Sequence, residues 1–172
     1  MSVNPGHLRL FSHPNTIAKR KQSAFTGIKQ TESDFIYSAK MSFNPNAKNS
    51  EAGIAIVQKD DNYVSFTLLN EPKGIVIRLM HKDQKINLIK EQVISNYQGD
   101  IKFKIISENG IYSYYYSLDN NKFELFTTTS ADLILSRGYT GAHIGLYITG
   151  NQKINDDYAD YDWISYIPKQ RQ

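Results

Sequence analysis

The chain contains no cysteine. Disulfide bonds, thiol nucleophiles and cysteine-based zinc sites are therefore excluded. It has no apolar run of membrane-spanning length, so no transmembrane helix is expected. Neither sign of charge dominates, with 20 Lys and Arg against 17 Asp and Glu and a formal net of +3. The densest basic run is Lys19-Arg20-Lys21, read as a solvated turn, and the remaining lysines are scattered. A nucleic-acid footprint is not expected from that pattern. Catalytic motifs are also missing: there is no Gly-x-Ser-x-Gly elbow, no phosphate loop and no His-Glu-x-x-His. His7, His13, His81 and His143 lack metal-ligand spacing and read as surface or packing residues. The opening stretch MSVNPGHLRLF has neither a charged n-region nor an apolar h-region. No signal peptide is expected in it, and the compartment stays open.

What is present is alternation. A length of 172 residues suits one domain, and 40% hydrophobic with 12% aromatic residues suffices for a sizeable core. Ser33–Phe43 sets Phe35, Tyr37, Ala39, Met41 and Phe43 on one face, the period of a half-buried strand. Strand patterns follow at Gly53–Gln58, Tyr63–Leu69, Gly74–Met80, Ile101–Ile106, Ile111–Leu118 and Lys122–Phe126. Their separators are turn chemistry, and Glu108-Asn109-Gly110 is a hairpin signal. Gln84–Ser95 admits a short helix but is read as strand from its neighbours. Thr129–Arg137 reads as a loop with a helical turn. Many short strands at this spacing predict an all-β, two-sheet antiparallel sandwich.

Two clusters invite chemistry. In YADYDWISY, alternation puts Asp160 and Asp162 on one face, roughly 6–7 Å apart, with Tyr161 and Trp163 on the other. Carboxylates on one strand cannot flank a sugar from opposite sides, so glycosidase chemistry by this pair is not expected. A hard-cation site and a plain solvated surface both stay open. Tyr112, Tyr114, Tyr115 and Tyr116 form the second cluster. They read either as a sugar-stacking platform or, preferably, as half-buried strand tyrosines.

The ordered segments RKQSAF (Arg20–Phe25), SAKMSFNPNAKNSEAGIAIVQ (Ser38–Gln58), YYYSLDNNKFELF (Tyr114–Phe126) and YTGAHIGLYITGN with YADYDWISYIPK are informative together. They resemble the C-terminal domain of family 43 glycoside hydrolases, the β-xylosidases and α-arabinofuranosidases. The closing block resembles the family pattern of aromatic-Thr-Gly-Ala, then Gly-Leu-Tyr, then Ala-Asp-aromatic-Asp-Trp. The likeness runs from about Leu8 to Pro168.

This resemblance implies a concanavalin A-like jelly roll. It implies one β-sandwich domain over residues 1–172, the C-terminal accessory part of a larger glycosidase. Chemistry would belong to a separate five-bladed propeller of the same polypeptide, and no residue of this chain inherits a catalytic role. In the xylosidases a loop of the sandwich helps close the substrate pocket, and the aromatic residue of that loop corresponds to Tyr139. The family's aspartate before the strand tryptophan corresponds to Asp162, implied as a structural calcium ligand. No acidic residue lies between Met1 and Lys29, so further ligands would be backbone carbonyls around His7–Leu10.

The leading expectation is thus a non-catalytic domain that meets xylo- or arabino-oligosaccharides only indirectly, through its propeller. The alternatives are an autonomous carbohydrate-binding module and a structural or homo-oligomer-forming domain. The chain alone is expected to hydrolyse neither aryl β-xylosides nor aryl α-arabinofuranosides, because no acid and base can be set across a pocket. Turnover above background that vanishes on mutating one of its own carboxylates overturns this.

Overall fold

Turn residues cut the chain into short alternating segments, and the backbone follows those cuts. The computed structural model describes residues 6–18, 23–59, 62–118, 122–135 and 142–169. The strands are β1 (Leu8–Phe11), β2 (Ala24–Lys29), β3 (Asp34–Phe43), β4 (Glu51–Lys59), β5 (Asn62–Glu71) and β6 (Gly74–Asp83). They continue with β7 (Lys85–Val93), β8 (Asp100–Glu108), β9 (Ile111–Ser117), β10 (Glu124–Ser130), β11 (His143–Thr149) and β12 (Tyr158–Lys169). One helical turn, α1 (Asp132–Leu135), precedes β11. Two six-stranded antiparallel sheets result, ordered β1-β12-β3-β8-β9-β10 and β2-β11-β4-β5-β6-β7. This is the expected all-β sandwich.

Gln84–Ser95 resolves as strand β7, and the helical turn falls inside Thr129–Arg137. Alternation missed β1 and β2. Each sits at a sheet edge, β1 has only four residues, and Gly27 interrupts β2. The β8–β9 hairpin closes as its sequence predicts: Glu108 pairs with Ile111, while Asn109 (φ 52°) and Gly110 (φ 77°) are both left-handed. Positive φ at both central residues is the twist that a tight hairpin requires.

The core lies between the sheets. Phe35, Tyr37, Ala39, Met41 and Phe43 all point inward and are essentially inaccessible. Phe66 of β5 is the aromatic centre. Its ring lies 4.9 Å from Phe103, 5.6 Å from Tyr114 and 5.5 Å from Phe126, with the first two contacts edge-on. Edge-on and offset rings align quadrupoles and add to plain area burial. Tyr112, Tyr114 and Tyr116 are buried in this same cluster, so three of the four tyrosines cannot form a sugar platform.

The second sheet is covered on its outer side as well. A strap of residues 12–18 crosses it, and Ile17 closes a smaller apolar cluster with Ala55, Tyr63 and Tyr147. Backbone bonds anchor the strap: Gly150 N donates to His13 O at 2.9 Å, and Gln152 N to Pro14 O at 2.7 Å. Consequently β5 is buried on both faces from Asn62 to Asn70. Gly145 of β11 sits opposite Gly27, and a Cβ there would strike the backbone of Thr26 and Gly27. That close approach is why a glycine punctuates the strand.

Truncating Phe66 to Ala should cost about 3–5 kcal/mol, since its cavity would open where three rings converge. Equilibrium denaturation measures this, and a loss below about 1 kcal/mol contradicts the packing described.

Candidate functional site

The last strand departs from simple alternation at one residue. Asp160 pairs with Ser42 and Tyr161 with Met41, but the next pairing is Trp163 with Lys40. Asp162 is therefore the extra residue of a β-bulge, which bends the strand and re-aims its side chains. The bulge overturns the expected shared face for Tyr161 and Trp163, whereas Asp160 and Asp162 both stay on the outer face, beside Arg9 and His7, which are two residues apart. Tyr161 is buried in the core, whereas Trp163 stays 37% exposed.

Each aspartate has its own surroundings. Asp160 is buried and accepts two bonds from Arg9, from Nε at 2.7 Å and Nη2 at 2.8 Å. The Arg9 guanidinium also lies 3.9 Å above the Tyr158 ring. This fork geometry gives both strength and direction. Bonding to Asp160 holds the Arg9 pKa above its ordinary value, and desolvation offsets only part of that.

Asp162 is exposed, with His7 Nε2 at 3.5 Å and Lys40 Nζ at 3.6 Å. A dication there would meet the Lys40 ammonium, and the neighbouring carboxylate is already bound to Arg9. Among the described residues no group of three or more His, Asp or Glu gathers. Calcium wants several oxygen donors and a surplus of negative charge. The described donors around Asp162 do not fit it.

Tyr139 lies outside the described residues, as does most of the Tyr-Thr-Gly-Ala motif. The first described residue after it is Ala142, whose carbonyl accepts from Gln30 N at 2.9 Å. Beside that point, Tyr166 Oη accepts from Thr31 N at 3.2 Å and links β12 to the end of β2. On those two strands Ile28 and Ile164 pair with the inward residues Ile144 and Ala39. Both isoleucines nevertheless stay about half exposed. Among the described residues, the edge of the core is thus left half open at the flank next to Ala142.

One polar assembly escaped the sequence reading. Glu51 of β4 is 1% exposed on the outer side of the second sheet. Its Oε2 accepts from Thr67 Oγ1 and from Arg78 Nη2, both at 2.7 Å. Its Oε1 meets Asn151 Nδ2 only at 3.4 Å. Burial works against the charge of Arg78, but the carboxylate of Glu51 turns the net shift upward. Burial first, and Glu51 second, push the Tyr63 hydroxyl up to about 12. The one signal in the sequence was Arg78 itself, a charge inside the apolar run GIVIRLM.

The other buried carboxylates hold structure too. Asp157 accepts from Asn46 N and Ala47 N, each at 3.0 Å. Asp34 accepts from Asn109 N at 3.2 Å. Fold and geometry thus define a β-sandwich module whose buried acids are committed to hydrogen bonds and ion pairs.

Residues 1–167 match the family described as the beta xylosidase C-terminal concanavalin A-like domain, and the chain belongs to that family. Among curated relatives it is 27% identical over 170 residues to a xylosidase/arabinosidase of Butyrivibrio fibrisolvens, covering 96% of this chain. It is 26% identical over 171 residues to a non-reducing end α-L-arabinofuranosidase of Bacteroides ovatus, again covering 96% of this chain. The chain spans 32% of the length of each. Among solved structures, a family 43 protein of Bacillus licheniformis superimposes with a TM-score of 0.83 at 20% identity. That match covers 96% of this chain and 34% of the other. A yeast protein described as functionally unknown shares the fold with a TM-score of 0.74 at 13% identity. There the match covers 88% of this chain and 78% of the yeast chain.

The charges around Asp162 predict a melting temperature indifferent to calcium and to chelator. Asp160→Asn should lower it by weakening the fork to Arg9. A rise in calcium that Asp162→Asn abolishes would establish an ion at that position, because a ligand that binds only the native state stabilises it.

Proposed function

We propose that this chain is the non-catalytic C-terminal module of a glycoside hydrolase that removes xylose or arabinose units. In this reading it packs on a catalytic propeller of the same polypeptide, and the segment bearing Tyr139 helps close the substrate pocket. The observation that carries the reading is the family match over nearly the whole chain. It is supported by relatives about three times as long, described as a xylosidase/arabinosidase and an arabinofuranosidase.

The flank described above supplies a physical reason for a partner. Ile28 and Ile164 occupy inward-facing register positions yet remain wet, next to the junction with the Tyr139 segment. Apolar surface of that kind gains free energy when another domain covers it. The engagement of the buried carboxylates in structural bonds suits a supporting role.

A second reading, a free-standing module, draws on the yeast chain, of which the same fold makes up most. Likeness at that identity speaks to fold alone.

The reading frame around this chain separates the two. A propeller with its carboxylates in the same frame is expected, and its absence sinks the hydrolase reading. In the full polypeptide, Ile164→Glu should lower kcat/KM on aryl xylosides or arabinofuranosides several-fold. The same change in the 172-residue chain should cost about 1 kcal/mol or less, as at other partly exposed positions. Unchanged activity in the full polypeptide removes that flank from the interface.

A further inference from the structure

A cavity of about 400 Å³ opens on the outer side of the second sheet, beneath the strap. Its polar side is formed by Glu51 and Arg78, with Asn49, Asn151 and Gln152 at the rim. Its apolar side includes Met80 and Ile86, and Ile86 is 60% exposed. A volume of that size falls within the range of small-molecule sites, about 300–1,000 Å³.

Three features mark it as built rather than incidental. First, a buried ion pair stands in its wall with bonding capacity left over. Glu51 Oε1 has one long contact at 3.4 Å. A guanidinium carries five N–H donors; Arg78 donates from Nη2 to Glu51, its Nε is buried without a partner, and its side chain stays 18% exposed.

Second, the backbone is held in a costly conformation around the rim. Asn49 (φ 66°), Asn151 (φ 51°) and Gln152 (φ 74°) are three of the five non-glycine residues with positive φ among those described. Glutamine has little tolerance for that region, and such strain collects at functional sites. Hydrogen bonds hold it there: Asn151 N donates to Thr149 Oγ1 at 3.0 Å, and Asn151 Nδ2 to Asn49 O at 2.6 Å.

Third, the charges select a class of ligand. Glu51, Glu71 and Arg78 line the cavity; Arg78 is bonded to Glu51, and Lys73 Nζ lies 3.2 Å from Glu71 Oε2. Both carboxylates have a cation partner, so neither an anion nor a metal ion meets an uncompensated opposite charge. What suits a carboxylate oxygen with spare acceptor capacity, a guanidinium with spare donors and rim amides is a set of adjacent hydroxyls. Such a molecule also turns a C–H face toward Met80 and Ile86.

We propose that this cavity binds a neutral, hydroxyl-rich ligand, a monosaccharide or the end of a short oligosaccharide. The site belongs wholly to this chain and does not require a catalytic domain, so its test is independent of the reading above.

The experiment is a titration of the 172-residue chain, labelled with ¹⁵N, with D-xylose, L-arabinose, xylotriose and, as an anionic control, glucuronate. At least one neutral sugar should give saturable shifts of the Asn49, Asn151 and Gln152 amides, with Kd of about 1 mM or tighter. Glucuronate should bind about tenfold more weakly or not at all, because the Arg78 guanidinium that could receive its carboxylate is already bonded to Glu51. Ile86→Asp, at an exposed rim position, should weaken binding severalfold with an unchanged melting temperature. Arg78→Lys keeps the charge and loses the fork, and should abolish binding; if it fails to fold, the Ile86→Asp result decides alone. The proposal is overturned by absence of saturable shifts with all three neutral sugars. It is equally overturned by shifts that map away from the cavity, for example around Trp163, or by unaltered affinity in Ile86→Asp.

Discussion

The hydroxyl of Tyr161 ties the two sheets together through the core. It reaches Gly53 O at 2.7 Å and Tyr147 O at 3.1 Å, sharing its hydrogen between β4 and β11 of the opposite sheet. A buried hydroxyl without partners would be costly, and two backbone acceptors remove that cost. Burial also drives the phenol pKa far above its ordinary value, so the group stays protonated and able to donate. With Tyr161 anchored inward, the bulge at Asp162 releases the strand from its alternation. Asp160 then meets Arg9 on β1, while Asp162 is turned toward Lys40 and His7.

The outer side of the second sheet is a second layer of construction. Strap residues cover Tyr63 and Tyr147, and the Glu51–Arg78 pair lies under that cover. A buried ion pair is weak support for stability by itself, since desolvating two charges offsets much of their attraction. Thr67 and Asn151 add hydrogen bonds to the same carboxylate. Removing one partner would leave the other charge buried and uncompensated, so the two stand or fall together.

Family and fold speak to different matters here. Alternating apolar faces and edge-on aromatic packing tolerate wide substitution, so solved structures near 20% identity share the architecture. Activity resides in particular groups placed across a pocket. The buried carboxylates described here instead hold turns, strands and ion pairs, which agrees with a module that supports chemistry performed elsewhere.

The sandwich class, most of the strands and the inward set from Phe35 to Phe43 were legible from period-two alternation and turn residues, because those signals are local. The order of the segments was enough to reveal the family. The bulge at Asp162 was not legible, since an extra residue in a ladder depends on the partner strand's register and not on its own neighbours. Edge strands β1 and β2 were missed for a related reason: their apolar residues meet only one neighbouring strand. The fates of the tyrosines and of Glu51 were likewise open. Alternation says which residues share a face, but burial depends on what crosses that face, and here it is a strap more than 100 residues away from Tyr147 in the chain. Local pattern determined the strands; long-range contacts decided which polar groups are buried, which are paired and where a cavity opens.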